Sequence, residues 1–120
     1  MIGNATRDAA AHRGWLIGHF APVELGLRST DAVEVKWATH APGEARSGWA
    51  ASARATSLSL LVRGCIRILF ATGEEALLDK PGDYVLWPPG LAHRWQIEQE
   101  DETVVLTVRW PSLAGDVLST

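Results

Sequence analysis

The stretch that decides the fold is Gly82–Trp95, GDYVLWPPGLAHRW. It sets a glycine, a strand-like apolar run, two prolines, a second glycine and a histidine in that order. Gly82 suits a turn into a strand over YVLW (84–87). Pro88 and Pro89 end that strand, because neither can donate a hydrogen bond to a β-ladder. Gly90 supplies backbone angles that other residues resist, the chain reverses, and His93 enters the next strand, AHRWQI (92–97). With a period of two, His93, Trp95 and Ile97 share one face, and Arg94, Gln96 and Glu98 the other. The first face is the more apolar and is expected to point inward.

The same signals continue on both sides. AVEVKWAT (32–39) alternates, with Val33, Val35 and Trp37 on one face and Glu34 and Lys36 on the other. The apolar face is the expected inward one, which places His40 outward with Lys36 unless a bulge near Pro42 turns it. WLIGHF (15–20), TSLSLLVRG (56–64), CIRILF (65–70), EALL (75–78) and TVVLTVRW (103–110) also read as strands. Gly64 leaves no room for a helix between two of them, so they form either a tight hairpin or one strand bent at the glycine. About nine short strands separated by turns make an all-β sandwich or barrel. Residues 1–14 read as an arm with at most one short helix near Ala9–Ala11, residues 15–111 as the barrel, and residues 112–120 as a weakly patterned tail.

The spacing Gly82, five residues, Pro88, one residue, Gly90, two residues, His93 resembles the second signature motif of the cupin family. The resemblance covers residues 32–110 and implies an all-β double-stranded β-helix, the jelly-roll barrel of the cupins. It also implies a homodimer, since small cupins pair through sheet edges and N-terminal strands. Ile97 stands where an asparagine often follows the motif's histidine. The larger departure lies upstream. The family's first motif carries two histidines one residue apart, then a glutamate, then a glycine seven residues further on. Aligning that glycine with Gly64 puts the glutamate position on Ser57 and the histidine positions near Ala51 and Ala53. Only His93 of the four metal ligands is then present, and one imidazole does not hold a transition metal tightly. Neither a standard metal site nor any other cofactor is therefore expected. A rebuilt site would have to draw on His40, since His12 and His19 have no spacing logic.

What fills such a barrel is legible only in part. The chain has six tryptophans. Trp37 and Trp95 fall on expected inward faces, and Trp49 precedes the alanines that replace the ligands. These rings either fill the core or wall a pocket for a small organic ligand, with Ser57 and the alanines leaving room. Arg46, in the PGEARSGW loop (42–49), is placed to clamp a carboxylate or phosphate, or else is solvated. Arg109, on the polar face of the last strand, reads as surface or dimer interface. His93 reads as a paired core histidine, as a ligand anchor or general base, or as a metal ligand. Three functions stay open. One is a small-molecule-binding module lined by Trp37, Arg46, Trp49, Ser57, His93 and Trp95. Another is a metal-independent isomerase, epimerase or cyclase using His93 as base. The last is a metalloenzyme with a rebuilt site including His93 and His40.

Composition narrows the partners. The 120 residues carry a formal net charge of −3 with no basic run, which argues against nucleic acid. No apolar stretch is long enough to span a bilayer, and no basic start precedes an apolar run as in a secretory signal. The single cysteine, Cys65, lies in an apolar run and reads as core. A cytoplasmic protein without membrane contact is expected. The acidic run 98–102 reads as a solvated loop.

Overall fold

The computed structural model describes residues 1–119. Thr120, the last residue of the expected tail, lies outside the described residues. A short helix α1 (Ala5–Ala10) precedes ten strands: β1 (Trp15–Ile17), β2 (Glu34–His40), β3 (Ala50–Ser52), β4 (Thr56–Arg63), β5 (Ile66–Phe70), β6 (Glu75–Leu78), β7 (Tyr84–Trp87), β8 (His93–Ile97), β9 (Thr103–Trp110) and β10 (Val117–Ser119). They form two antiparallel five-stranded sheets, ordered β1-β2-β9-β4-β7 and β10-β3-β8-β5-β6. Among the described residues no helix is long and apolar enough to cross a membrane.

The inward residues follow from alternation. Ser57, Ser59 and Leu61 of β4 are buried, and so are Ile66, Ile68 and Phe70 of β5. With Leu78, Trp87, Ile97 and Val105 the apolar members make one core between the sheets. Wholly burying one such side chain is worth about 1.5–3 kcal/mol, so this cluster supplies much of the drive to close the barrel.

Glycine-bearing corners carry the chain from sheet to sheet. Between β4, in the first sheet, and β5, in the second, Gly64 has φ +98°, so the strand is bent at the glycine rather than folded as a hairpin. The Pro88–Pro89–Gly90 segment does the same between β7 and β8. The expected reversal there is a crossing: β7 pairs with β4 and β8 with β5, so the two strands are not neighbours. The prolines suit this, because the segment leaves one ladder before joining another. The Gly90 N–H instead donates to the Ser52 carbonyl at 2.7 Å, tying the corner to β3.

The N-terminal residues cover the outside of β2. Trp37 Nε1 donates to Thr6 Oγ1 at 3.0 Å, and the Trp37 N–H donates to the Gly14 carbonyl at 2.7 Å. At the other end, the buried Asp116 carboxylate accepts from the Arg54 N–H at 2.9 Å and the Ala55 N–H at 3.0 Å. This holds β10 against β3.

Candidate functional site

A cavity of about 370 Å³ lies between the sheets, and four core residues, Ile66, Ile68, Trp87 and Val105, form part of its lining. The first sheet contributes Trp15 from β1, Lys36, Ala38 and His40 from β2, Ser59 from β4, and Thr107 and Arg109 from β9. The second sheet contributes Ala50 from β3 and His93 and Trp95 from β8, with Val117 of β10 at its edge. Arg13 and Arg46 reach in from loops.

His93 and Trp95 point inward, as the alternation in β8 predicts. Arg46 lines the cavity, and its Nε donates to the Gly48 carbonyl at 3.3 Å. Ser57 is buried on the inward face of β4, but Ser59, one step along, is the serine at the cavity, 3.0 Å from Thr107 Oγ1. Trp49 does not line the cavity; the Arg94 guanidinium sits 4.7 Å from its ring centroid.

Three expectations are corrected. Trp37 faces away from the cavity, toward α1 and residue 14. His40 faces in, with its ring 4.4 Å from that of Trp95. Arg109 is not a surface residue but part of the cavity wall, its side chain 15 % exposed. The first two share one cause: the apolar face of β2 is the expected core face, whereas the N-terminal residues cover that face from outside. The polar face, Lys36 and His40, is the one that lines a polar cavity.

The electrostatics follow from burial and crowding. Burial pushes the Lys36 ammonium below its usual range, and Arg109, Arg46 and Arg13 push it the same way. Burial likewise lowers Arg109, partly offset by Glu34. Glu34 is buried behind the wall, raised by its own burial, with Oε1 4.0 Å from Arg109 Nε. Arg109 Nε itself is buried without a hydrogen-bond partner among the described residues. His93 is pushed down to about 4, first by burial and further by Arg109 and Arg46, with the Ala50 backbone acting in the opposite sense. It is therefore neutral at pH 7, and its buried Nδ1 has no hydrogen-bond partner among the described residues. The nearest ring is Trp87, 4.9 Å between centroids. His40 is lowered by burial and held up in part by Glu44, whose Oε2 is 2.8 Å from Nδ1.

The donor set does not fit a transition metal. On β3 the residue facing the cavity beside His93 is Ala50, paired with it in register, and Ser52 follows on the same face. Among the described residues no three His, Cys, Asp or Glu side chains converge. His40 and His93 share the cavity, but His40 is engaged by Glu44 and no third donor joins them.

Solved structures that superpose on the chain include double-stranded β-helix and cupin proteins. A double-stranded β-helix protein from Klebsiella pneumoniae superposes with a TM-score of 0.66 at 19% identity, covering 76% of each chain. KdgF from a Halomonas species gives 0.61 at 19% identity, over 71% of this chain and 74% of that one. A cupin from Bacteroides fragilis gives 0.60 at 17% identity, over 70% and 68%. No family model and no curated protein matches the chain. The protein has the cupin fold, an all-β double-stranded β-helix, as the motif at Gly82–His93 implies.

Proposed function

We propose that the protein is a small-molecule-binding cupin-fold protein whose ligand occupies the barrel cavity, with His93 as a neutral hydrogen-bonding anchor. The observation that carries this reading is the cavity itself. Its 370 Å³ falls at the small end of the range of about 300–1,000 Å³ typical of ligand pockets, and it is lined by both polar and apolar side chains. His93 and Arg109 both line it, and His93 Nδ1 and Arg109 Nε are buried without hydrogen-bond partners among the described residues. Native mass spectrometry and tryptophan fluorescence against a small-metabolite panel test the reading. Saturable binding that His93→Gln weakens supports it, and a panel that leaves the tryptophan emission unchanged, with no bound species by mass, counts against it.

A second reading keeps His93 as the general base of a metal-independent isomerase, epimerase or cyclase. The place of His93 in the cavity lining favours it, since a base must reach the proton it takes. The value of about 4 limits it, because such a ring is a weak base at neutral pH. Turnover lost in His93→Ala with the fold intact would select this reading.

The proposal includes a homodimer and a reducing, cytoplasmic compartment. The outward face of the first sheet supports the dimer. Leu58 and Leu60 of β4 pair with Leu86 and Tyr84 of β7, which are 53 % and 65 % exposed, and with Val108 and Leu106 of β9. An exposed apolar face gains by burial, and a two-fold axis would bring the same patch of a second copy against it. Light scattering distinguishes the dimer from a monomer, and Leu86→Glu should yield the monomer. A single cysteine, Cys65, can form no disulfide within the chain, which suits a reducing compartment.

A further inference from the structure

We infer that the barrel cavity selects a small organic anion, its carboxylate held by Arg109 and Lys36 and its apolar body laid against Ile66, Ile68 and Trp95. The inference rests on the reading of the cavity as a binding pocket and adds the charge and shape of the occupant.

The charge of the lining points this way. Arg13, Lys36, Arg46 and Arg109 all reach the cavity, and no Asp or Glu is among its described lining residues. This occurs in a chain whose formal net charge is −3, so the cations are gathered here against the balance of the whole molecule. Two of them crowd one ring. Lys36 Nζ is 5.4 Å and Arg109 Cζ 4.7 Å from the Trp15 centroid. Like charges so arranged repel across a half-buried space, and an anion between them removes that repulsion.

The unmet hydrogen bonding points the same way. Arg109 presents a planar fork of donors that matches a carboxylate. Its Nε is buried without a hydrogen-bond partner among the described residues, and Glu34 at 4.0 Å is too far to supply one. Beside it, Thr107 Oγ1 and Ser59 Oγ hydrogen-bond each other at 3.0 Å and extend the polar strip along β9 and β4.

The opposite wall fixes the rest of the ligand. Ile66 and Ile68 of β5 and Trp95 of β8 offer carbon to the cavity, and Ile68 pairs with Trp95 in register. An inorganic anion would leave this wall in contact with water. A monocarboxylate carrying a ring or short branched chain covers it while its head reaches the cations.

The test is isothermal titration of the full chain with benzoate, with benzamide as its uncharged counterpart, and with inorganic phosphate. Benzoate is expected to bind at least about tenfold tighter than either, as charge-assisted hydrogen bonds allow. Lys36→Met, which removes a buried charge and keeps the side-chain length, should weaken benzoate about tenfold and leave benzamide unchanged. Arg109→Gln should do the same, with circular dichroism confirming its fold; Lys36→Met carries the test if that variant unfolds. Benzamide binding as tightly as benzoate would overturn the anion inference and leave the pocket reading standing. Phosphate binding as tightly as benzoate would overturn the organic part. Failure of both benzoate and benzamide to bind would count against inference and pocket reading together.

Discussion

Arg109 Nε and Glu34 Oε1 lie 4.0 Å apart inside the barrel wall, on residues paired in register between β9 and β2, and no hydrogen bond closes between them. Glu34 is buried and Arg109 largely so, 5 % and 15 % exposed, so neither charge is screened as it would be at the surface. Glu34 is thus the counter-charge that makes the cationic wall tolerable while leaving the Arg109 donors directed elsewhere. Glu34→Gln keeps the shape and removes the charge. It should destabilise the fold by about 1–3 kcal/mol, because a buried guanidinium loses its nearest carboxylate. The same change should strengthen carboxylate binding, since Arg109 then has no internal competitor. Urea denaturation and benzoate titration of the one variant check both signs.

His93 makes stability depend on pH. Its ring is held down to about 4 in the folded chain, mainly by burial, against about 6.5 when unfolded. Between those values the unfolded chain binds the proton and the folded chain does not. Stability is therefore complete above about pH 6.5 and falls as the pH drops toward 4, by about 3 kcal/mol at 1.36 kcal/mol per unit. His40, also lowered by burial, acts in the same direction. Chemical denaturation at pH 7.5 and pH 4.5 should show the loss, and His93→Gln should remove most of it. An unchanged slope in that variant would assign the effect to other groups.

The fold was legible in the sequence because period-two alternation and the turn residues agree along most of the chain. The β6, β7 and β9 bounds follow directly from EALL, YVLW and TVVLTVRW. β3 and β10 were not legible, since three residues of alanine and serine, or of an exposed Val-Leu-Ser, carry no period. His93, Trp95 and Arg46 were found as cavity residues because the Pro-Pro-Gly corner and the preceding loop fix their positions. Lys36 and Arg109 are not legible as cavity residues, and His40 is so only through the bulge alternative, because the apolar-face rule assumes an apolar interior. Here the Val35–Trp37 side of β2 lies under the N-terminal residues, an arrangement that no local pattern in residues 32–40 encodes. The net charge of −3 hid a cavity of opposite sign for the same reason: composition averages over positions that the topology separates.

Gly64 should be intolerant of any side chain. Its φ of +98° lies in the region that L residues resist, and an added Cβ would fall on Thr103 Oγ1 and lie 2.7 Å from the Thr103 Cα. Thr103 cannot retreat, because it is fully buried and its hydroxyl accepts from the Cys65 N–H at 3.2 Å. Gly64→Ala should therefore cost about 2–5 kcal/mol, combining backbone strain with overpacking. Gly73→Ala is the control: it has φ +95° but open space around the added atom, so only the backbone part remains. Thermal unfolding of the pair should show a clearly larger loss at Gly64.

Asp116 should couple the C-terminal strand to the cavity. Its carboxylate is buried and accepts from the Arg54 and Ala55 N–H groups, while the Ala53 N–H donates to its carbonyl at 2.8 Å. The next residue, Val117, begins β10 and lines the cavity edge. Asp116→Ala leaves the Arg54 and Ala55 donors without their acceptor, which should cost about 2–4 kcal/mol. Asp116→Asn keeps one acceptor oxygen and should cost less. Because the lost bonds fasten β10 rather than the central strands, the effect should be local first. Hydrogen exchange should quicken at Ala53, Ala55 and residues 117–119 before it changes in β4 or β9. Ligand affinity should fall with it, since freeing Val117 opens one edge of the cavity. Uniform acceleration across both sheets would instead make Asp116 a determinant of global stability, with no separate role at the cavity edge.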